Sequence, residues 1–311
     1  MEIKKIHLDL CELIHLNGGY ITTALLHELA RIKGIARQKA NTYTAKNVCD
    51  MKNDLGLIHR PPEFDKVKDS YQNPSLYALT DKAIRILKEI GRFNEYAPSP
   101  HGWIKHQMMT ATLYQIFQIS AHESGIKFVP QHQLMPKKPH IWVNESKKIK
   151  VIPDAVFMLE YEDHPAAFFL EIDRGTEKGV STGHKTWGKS IKYYQQIFKK
   201  KLYSQILDLP ENHQAYLATV TTSALMHKKI LKTIARYFKG GSAFLLTYTT
   251  RAFGHLPTDY FPPRYFDILN ESFERHEYPP IKLNRRAIKT LKSDSYSTII
   301  PRQILRKWYK E

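Results

Sequence analysis

Three acidic residues lie within two strongly apolar runs in the middle of the sequence. Asp154 follows Pro153 near the start of "VIPDAVFMLEY", and Glu171 and Asp173 stand at the end of "AAFFLEID". Side chains alternate along a strand, so Glu171 and Asp173 project from one face, and a hairpin between the runs brings both beside Asp154. Desolvated carboxylates are costly unless they are paired, protonated or bound to a metal. The pattern predicts that Asp154, Glu171 and Asp173 hold a hard divalent cation, Mg²⁺ or Mn²⁺, through oxygen ligands.

The distribution of charge indicates which class of partner such a protein binds. The chain has 311 residues and a formal net charge of +17. Residues 185–240 hold 11 Lys and Arg against 2 acids, and residues 281–311 hold 9 against 2. Such charge attracts polyanions, and nucleic acid is the commonest of these, so we expect double-stranded DNA as partner, with the basic helices after residue 185 beside it. The alternative is a solvated basic surface.

Two features of the sequence concern the compartment. No apolar run approaches the ~20 residues that a membrane span requires, so we expect no membrane association. Only two cysteines occur, Cys11 and Cys49. This favours a reducing, cytoplasmic compartment without a disulfide framework.

The first 96 residues show the order helix, helix, helix, hairpin and helix, which resembles a winged helix-turn-helix domain. The third helix, from about residue 42 to 55, is expected to enter the DNA major groove, while the hairpin contacts the backbone. The predicted DNA contacts of this domain are Thr44, Lys46 and Asn47 on the outward face of the third helix and Arg60, Lys66 and Lys68 on the wing. The alternative is a winged helix that makes only protein contacts.

A polar, proline-containing segment at 94–102 is the predicted domain boundary. Beyond it the patterns read helix, three strands, helix, strand, helix, strand. Such alternation is typical of an α/β domain whose central strands are covered on both faces. The predicted domain spans 101–280, and a basic extension follows over 281–311.

The Pro-Asp pair, the acid on the following strand and the element order together resemble the PD-(D/E)XK phosphodiesterase superfamily, which has the restriction-endonuclease-like fold. In that superfamily a Pro-Asp is followed on the next strand by an acid, one spacer and a lysine. Here Asp154 and Glu171 match, whereas Asp173 stands in the lysine position. Several branches supply the lysine from the following helix, where this chain has Lys189 and Lys192.

More narrowly, the chain resembles the replication-relaxation family of plasmid and mobile-element proteins. The likeness rests on the N-terminal winged helix, on His106 in "KHQMMTATLYQIF", and on the motifs "PDA", "EIDRGTE" and "KSIKYYQQIF". It spans nearly the whole chain, and "EIDRGTE" after an apolar strand is its most specific part. Membership implies DNA binding and a nuclease-like domain.

These resemblances imply roles for individual residues. Asp154 and Glu171, with Asp173 as a further ligand, would hold a metal that polarises the scissile phosphate and activates water. Lys189 would orient that water or neutralise the charge that develops on the phosphate. The remaining expected site residues are Arg174 and Lys192 at the DNA and His106, Glu177 and Tyr193 in accessory positions.

The leading expectation is therefore a metal-dependent DNA endonuclease or nickase of a plasmid or mobile element. It would combine an N-terminal winged helix-turn-helix with a restriction-endonuclease-like α/β domain built on a central mixed sheet. One alternative is a non-cleaving DNA-binding factor that controls plasmid replication, transfer or transcription, with a structural acidic cluster. Another is an RNA-processing nuclease with the same site. A homodimer and partner proteins of the mobile element are left open.

Overall fold

The fold is that of a computed structural model, in which the described residues are 2–36, 42–62, 75–99, 104–135, 140–162, 164–173, 187–207, 214–237, 245–249, 267–275 and 278–285. Among them, residues up to Glu123 form one compact unit, and most residues from Ser124 onward form another. In neither unit does a described helix have the length and apolarity needed to span a membrane.

The N-terminal unit combines helices with a small sheet. Its elements are α1 (Lys5–Leu16), β1 (Tyr20–Thr22), α2 (Thr23–Ile32), α3 (Thr42–Cys49), β2 (Ile58–His59), β3 (Leu76–Leu79), α4 (Asp81–Glu89) and α5 (Ile104–Glu123). The strands are antiparallel in the order β1-β3-β2, and α3 continues as a π-helical turn over Asp50–Asp54. The predicted order of helices and hairpin is confirmed, and β1 is an additional strand.

Polar residues and a glycine delimit these helices. The side chain of Thr22 accepts a hydrogen bond from the backbone of Leu25, and Thr80 does so from Ala83, both at 3.3 Å. Each threonine thus satisfies a backbone amide that has no partner within the first helical turn. Gly56, with φ +60°, follows the third helix in a conformation that other residues rarely adopt.

Helix α5 is buried on every side from residue 108 to 121. It packs against α2 and β1, and the Gln115 side chain donates hydrogen bonds to the backbone carbonyls of Asn17 and Tyr20. These contacts explain why α5 clusters with the N-terminal unit, whereas the predicted boundary at 94–102 lies before it.

The second unit is built on a large mixed sheet. Its elements are β4 (Lys127–Pro130), α6 (Gln131–Leu134), β5 (Ile141–Asn144), β6 (Ile149–Val151), β7 (Ala155–Tyr161), β8 (His164–Asp173), α7 (Trp187–Lys199), β9 (Gln214–Thr221), α8 (Ala224–Tyr237), β10 (Leu245–Thr249), β11 (Phe273–Arg275) and β12 (Tyr278–Ile281). Seven strands pair in the order β12-β11-β10-β9-β8-β7-β4, and β5 and β6 form a separate hairpin. Strands β8, β9 and β10 are parallel, while the other pairs in the large sheet are antiparallel.

The predicted central mixed sheet is confirmed, with differences at its margins. The run "IKVIPDAVFMLEY" is two strands rather than one, because the ladder is interrupted at 152–154. Strands β5, β11 and β12 were not predicted. They are only three or four residues long, too short for a periodic pattern to show.

The two faces of the large sheet carry different side chains. On one face, the rings of Phe128, Phe157, Phe168 and Tyr216 stack in a row across four strands, with centroids 5.2–5.4 Å apart. On the other face, residues such as Phe169 pack with α7 and α8 in a continuous apolar core. Glu171 and Asp173 share the parity of Phe169 along β8, so they belong to the face that α7 and α8 cover.

Candidate functional site

Asp154 occupies the break between β6 and β7. Pro153 has no backbone donor and cannot extend the strand ladder. The backbone amide of Asp154 donates to the Leu170 carbonyl at 3.0 Å, and the Ile172 amide donates to Asp154 Oδ2 at 2.8 Å. The carboxylate therefore takes the place that a backbone carbonyl would hold in a continuous ladder with β8.

Glu171 and Asp173 are almost completely enclosed, with 6% and 1% of their surfaces exposed. Tyr194 donates a hydrogen bond from its hydroxyl to Glu171 Oε1 at 2.5 Å. The indole Nε1 of Trp187 donates to Asp173 Oδ2 at 3.1 Å. Trp187 and Tyr194 are seven residues, about two turns, apart on α7, so one face of a single helix covers both carboxylates.

Asp154 lies beside Glu171. The ladder ends where Ala155 pairs with Leu170, and Asp154 then contacts the backbone of Leu170 and Ile172, the residues on either side of Glu171. Burial raises the pKa of Tyr194 well above its ordinary value of 10, and the charges of Glu171 and Asp154 raise it further. Both carboxylates are thus close enough to the Tyr194 hydroxyl to oppose its ionisation.

We call Asp154, Glu171 and Asp173 the acidic cluster. As predicted, these residues lie at one end of the β7–β8 pair, but their polar neighbours were not predicted. Thr219 and Thr221 of β9 pair with Glu171 and Asp173 in the parallel ladder and are buried. The signals that could have found these neighbours were the alternating threonines in "TVTT" and the seven-residue spacing of Trp187 and Tyr194.

The hydrogen bonds of the acidic cluster engage one oxygen of each of its three carboxylates. Oxygen is the right ligand type for Mg²⁺ or Mn²⁺, but Glu171 and Asp173 each use an oxygen on an aromatic donor of α7, and Asp154 uses one on a backbone amide. In the described part of the chain, no three His, Cys, Asp or Glu side chains form a group able to hold a metal. The Mg²⁺ or Mn²⁺ site thus stays a prediction.

The predicted lysines lie outside the enclosed region. Lys189 and Lys192 are exposed on α7, whereas Tyr193 is half-buried against the apolar core. The predictions for Arg174 and Glu177 fall outside the described residues. Helix α7 thus turns its aromatic side chains toward the carboxylates and its lysines toward solvent.

The prediction for α3 is wrong at two of its three positions. Thr44 and Asn47 are buried, with 1% and 6% of their surfaces exposed, and only Lys46 faces solvent. Thr44 Oγ1 lies 3.0 Å from Nδ1 of His27 on α2, and Asn47 Nδ2 donates to the Tyr43 carbonyl at 2.8 Å. These polar contacts explain why side chains of hydrophilic type face inward.

The outward face of α3 also presents Tyr43, which was not among the predicted DNA contacts. Tyr43 is 44% exposed and precedes exposed Lys46 by three positions, so the two side chains are neighbours on the helix surface. An exposed aromatic residue with a hydroxyl group one turn from a lysine can contact both sugar and phosphate.

The remaining predicted positions are scattered. Arg60 is half-buried, and Lys66 and Lys68 fall outside the described residues. His106 is half-buried in α5 and accepts a hydrogen bond at its backbone carbonyl from Thr110. It belongs to the N-terminal unit, whereas the acidic cluster belongs to the second unit.

Comparison with known proteins identifies the family. A family model described as replication-relaxation matches residues 10–206, a span that includes α3, the acidic cluster and α7. No curated protein and no solved structure matches the chain. The family comprises replication- or relaxation-related proteins of plasmids and mobile elements. Because the match covers more than half of the chain, the protein belongs to the replication-relaxation family.

Proposed function

We propose that this protein is a DNA-binding factor that controls replication, transfer or transcription of a plasmid or mobile element without cutting the DNA. The observation that carries the proposal is the enclosure of Glu171 and Asp173 by Tyr194 and Trp187. A hydrolytic site must bring its carboxylates to a phosphate and a metal. Here two carboxylates are buried and hydrogen-bonded, which is the arrangement expected of structural acids.

The N-terminal unit supports the DNA-binding part of the proposal. Its element order, with β2 and β3 after α3 and β1 completing the antiparallel sheet, resembles that of a winged helix-turn-helix. In such domains the second helix of the helix-turn-helix enters the major groove. That helix is α3, and Tyr43 and Lys46 are the side chains that it would bring to the DNA.

A metal-dependent nuclease or nickase is the second candidate. The observation that favours it is the position of Asp154, which is only half-buried and contacts β8 on either side of Glu171. The lysine would come from α7, where Lys189 is exposed. In this candidate, a metal would bind carboxylate oxygens other than those that accept hydrogen bonds from Tyr194 and Trp187.

One experiment separates the two candidates. Supercoiled plasmid is incubated with the wild-type protein and with Asp154→Ala, with Mg²⁺ and Mn²⁺ titrated up to several millimolar, and both proteins are assayed for duplex binding. The proposal expects equal DNA binding and no nicking by either protein at any metal concentration.

Metal-dependent nicking by the wild type that disappears in Asp154→Ala would establish the nuclease and overturn the proposal. Cleavage of an RNA substrate but not of DNA would assign RNA processing instead. An absence of duplex binding by the wild type would remove the DNA-binding function itself.

A further inference from the structure

The outward faces of α7 and α8 carry an unusual charge distribution. The two helices contact each other, and neither contains an acidic residue. On α7, the exposed cations are Lys189, Lys192 and Lys199. Since these residues recur at intervals of three and seven, they form a stripe along one side of the helix.

Helix α8 repeats the pattern. Its exposed cations are Lys228, Lys229, Lys232 and Arg236. With no acid on either helix, the ion pairs between residues three or four apart that usually neutralise a helix surface cannot form. We call these seven residues the α7–α8 cationic surface.

The core fixes the direction in which this surface faces. Ile191 and Tyr194 of α7 and Ile230 and Ile234 of α8 are almost completely buried in the apolar core against the large sheet. Rotating either helix to hide its lysines would expose these side chains and lose the associated burial energy. The cations are therefore held outward as a permanent feature of the fold.

The chemistry of the surface distinguishes among polyanionic partners. A helix that lies on a membrane inserts an apolar face into lipid, but the apolar faces of α7 and α8 are used in the core. Proteins that bind single strands stack bases on exposed aromatic rings. Among the described side chains of the two helices, none of the exposed ones is aromatic. Lysines without an exposed aromatic side chain among these described positions suit the phosphates of a duplex, in which the bases are already stacked.

We propose that the α7–α8 cationic surface binds the sugar–phosphate backbone of double-stranded DNA without reading its sequence. This inference rests on the proposed DNA-binding function and adds a second contact region, in the unit that holds the acidic cluster. It also gives α7 a double role, because its inner face encloses the carboxylates and its outer face holds the phosphates away from them.

The test replaces two lysines on each helix in one protein. The variant carries Lys189→Gln, Lys192→Gln, Lys229→Gln and Lys232→Gln, and its matched control carries Lys127→Gln, Lys147→Gln, Lys148→Gln and Lys282→Gln, four exposed lysines elsewhere in the same unit. Affinity for duplexes of two unrelated sequences is measured by fluorescence anisotropy from 50 to 300 mM salt. Circular dichroism melting verifies that both proteins are folded.

Each phosphate contact contributes about 0.9 to the slope of log affinity against log salt. The α7–α8 variant is therefore expected to lose about 3 to 4 from that slope and at least about tenfold in affinity at 0.1 M salt, equally for both sequences. The control is expected to keep the wild-type slope.

Three results would overturn the inference while leaving the proposed function intact. The first is a variant that binds both duplexes like the wild type and like the control. The second is a loss confined to one of the two sequences. The third is a wild type that prefers single strands over duplex, with that preference abolished by the four substitutions. A wild type that binds no DNA would instead defeat the proposed function.

Discussion

Helices α3 and α7 each have a polar contact on the buried side and lysine on the exposed side, but their net charges differ. The run from α3 through its π-helical turn holds two lysines and two aspartates and exposes Tyr43. The charged residues of α7 are all cations on its exposed side, and its inner face covers carboxylates. One surface is nearly neutral and chemically varied, whereas the other is uniformly positive.

If the protein binds DNA as proposed, this difference predicts separate roles for the two surfaces. Base edges are distinguished by donors, acceptors and apolar contacts, which a varied surface supplies. Phosphates are identical along the duplex, so a uniform cationic surface adds affinity without adding specificity. In this interpretation α3 selects the site and α7, with α8, holds the backbone.

The largest expected effect tests specificity at α3. Tyr43→Ala and Lys46→Ala should each weaken binding to a duplex selected from a random pool by about 10- to 100-fold, because each good contact to a base is worth about 1–3 kcal/mol. Binding to random duplex should change far less. Competition binding with selected and random duplexes measures both quantities.

Arg85→Ala is the matched control, since Arg85 is exposed on α4 of the same unit. The comparison breaks if Tyr43→Ala and Lys46→Ala weaken both duplexes equally, because α3 would then contact only the backbone. The contrast between α3 and α7 is supported if the four substitutions on α7 and α8 leave the ratio of affinities for selected and random duplex unchanged.

The second effect concerns the inner face of α7. Tyr194→Phe removes the hydroxyl that donates to Glu171 and leaves a buried carboxylate short of a donor. Hydrogen bonds to charged groups contribute about 1.5–3 kcal/mol, so the free energy of unfolding should fall by about 2 kcal/mol in urea denaturation. Tyr193→Phe, at the half-buried neighbouring position, should change it by less than about 0.5 kcal/mol. Equal losses in the two variants would show that the Glu171 contact contributes little.

The structural features that could be predicted from the sequence are those whose residue pattern extends over many positions. The long helices and the central strands were predictable because their apolar periodicity extends over many residues. The acidic cluster was predictable because strand alternation and a hairpin determine where Asp154, Glu171 and Asp173 project. Short strands such as β5 and β11 carry too few residues to show a period.

What the sequence could not determine was the pairing of polar groups in three dimensions. Thr44 and Asn47 look like surface residues by composition, but His27 and the Tyr43 carbonyl provide partners inside the unit. Likewise, the sequence did not show that Tyr194 and Trp187 donate hydrogen bonds to Glu171 and Asp173. A polar side chain without a visible partner in the sequence can have one inside the folded protein.

The third effect tests the inner face of α3. Thr44→Val keeps the shape of the side chain but removes the hydroxyl that pairs with His27. A neutral hydrogen bond contributes about 1 kcal/mol, so the expected loss in the free energy of unfolding is about half that of Tyr194→Phe. Thr42→Val, at an exposed position of the same helix, is the control and should be nearly neutral. A loss from Thr44→Val as large as that from Tyr194→Phe would remove the distinction between the two inner faces.

The smallest effect is a difference in pH response. Burial lowers the pKa of His7 below its ordinary value of 6.5, opposed by Asp50 and by a hydrogen bond with Asn47 of α3. A depressed folded-state pKa gives stability that is fully present above the unfolded value and is lost as the pH falls. The α3 region should therefore lose stability below about pH 6.5. The effect of Tyr194 on stability has the opposite pH dependence. Its raised pKa gives stability that is lost as the pH rises above about 10.

Thermal melting of wild type, His7→Gln and His122→Gln at pH 7.5 and 5.5 measures the acid side. His122 is exposed on α5 and serves as the control. The decrease in melting temperature on acidification should be smaller in His7→Gln than in the wild type and unchanged in His122→Gln. An equal decrease in all three proteins would mean that protonation of His7 does not destabilise the α3 region. The acid sensitivity would then have to come from other groups in the same unit. His15 is the first of these to test, because burial lowers its pKa as well.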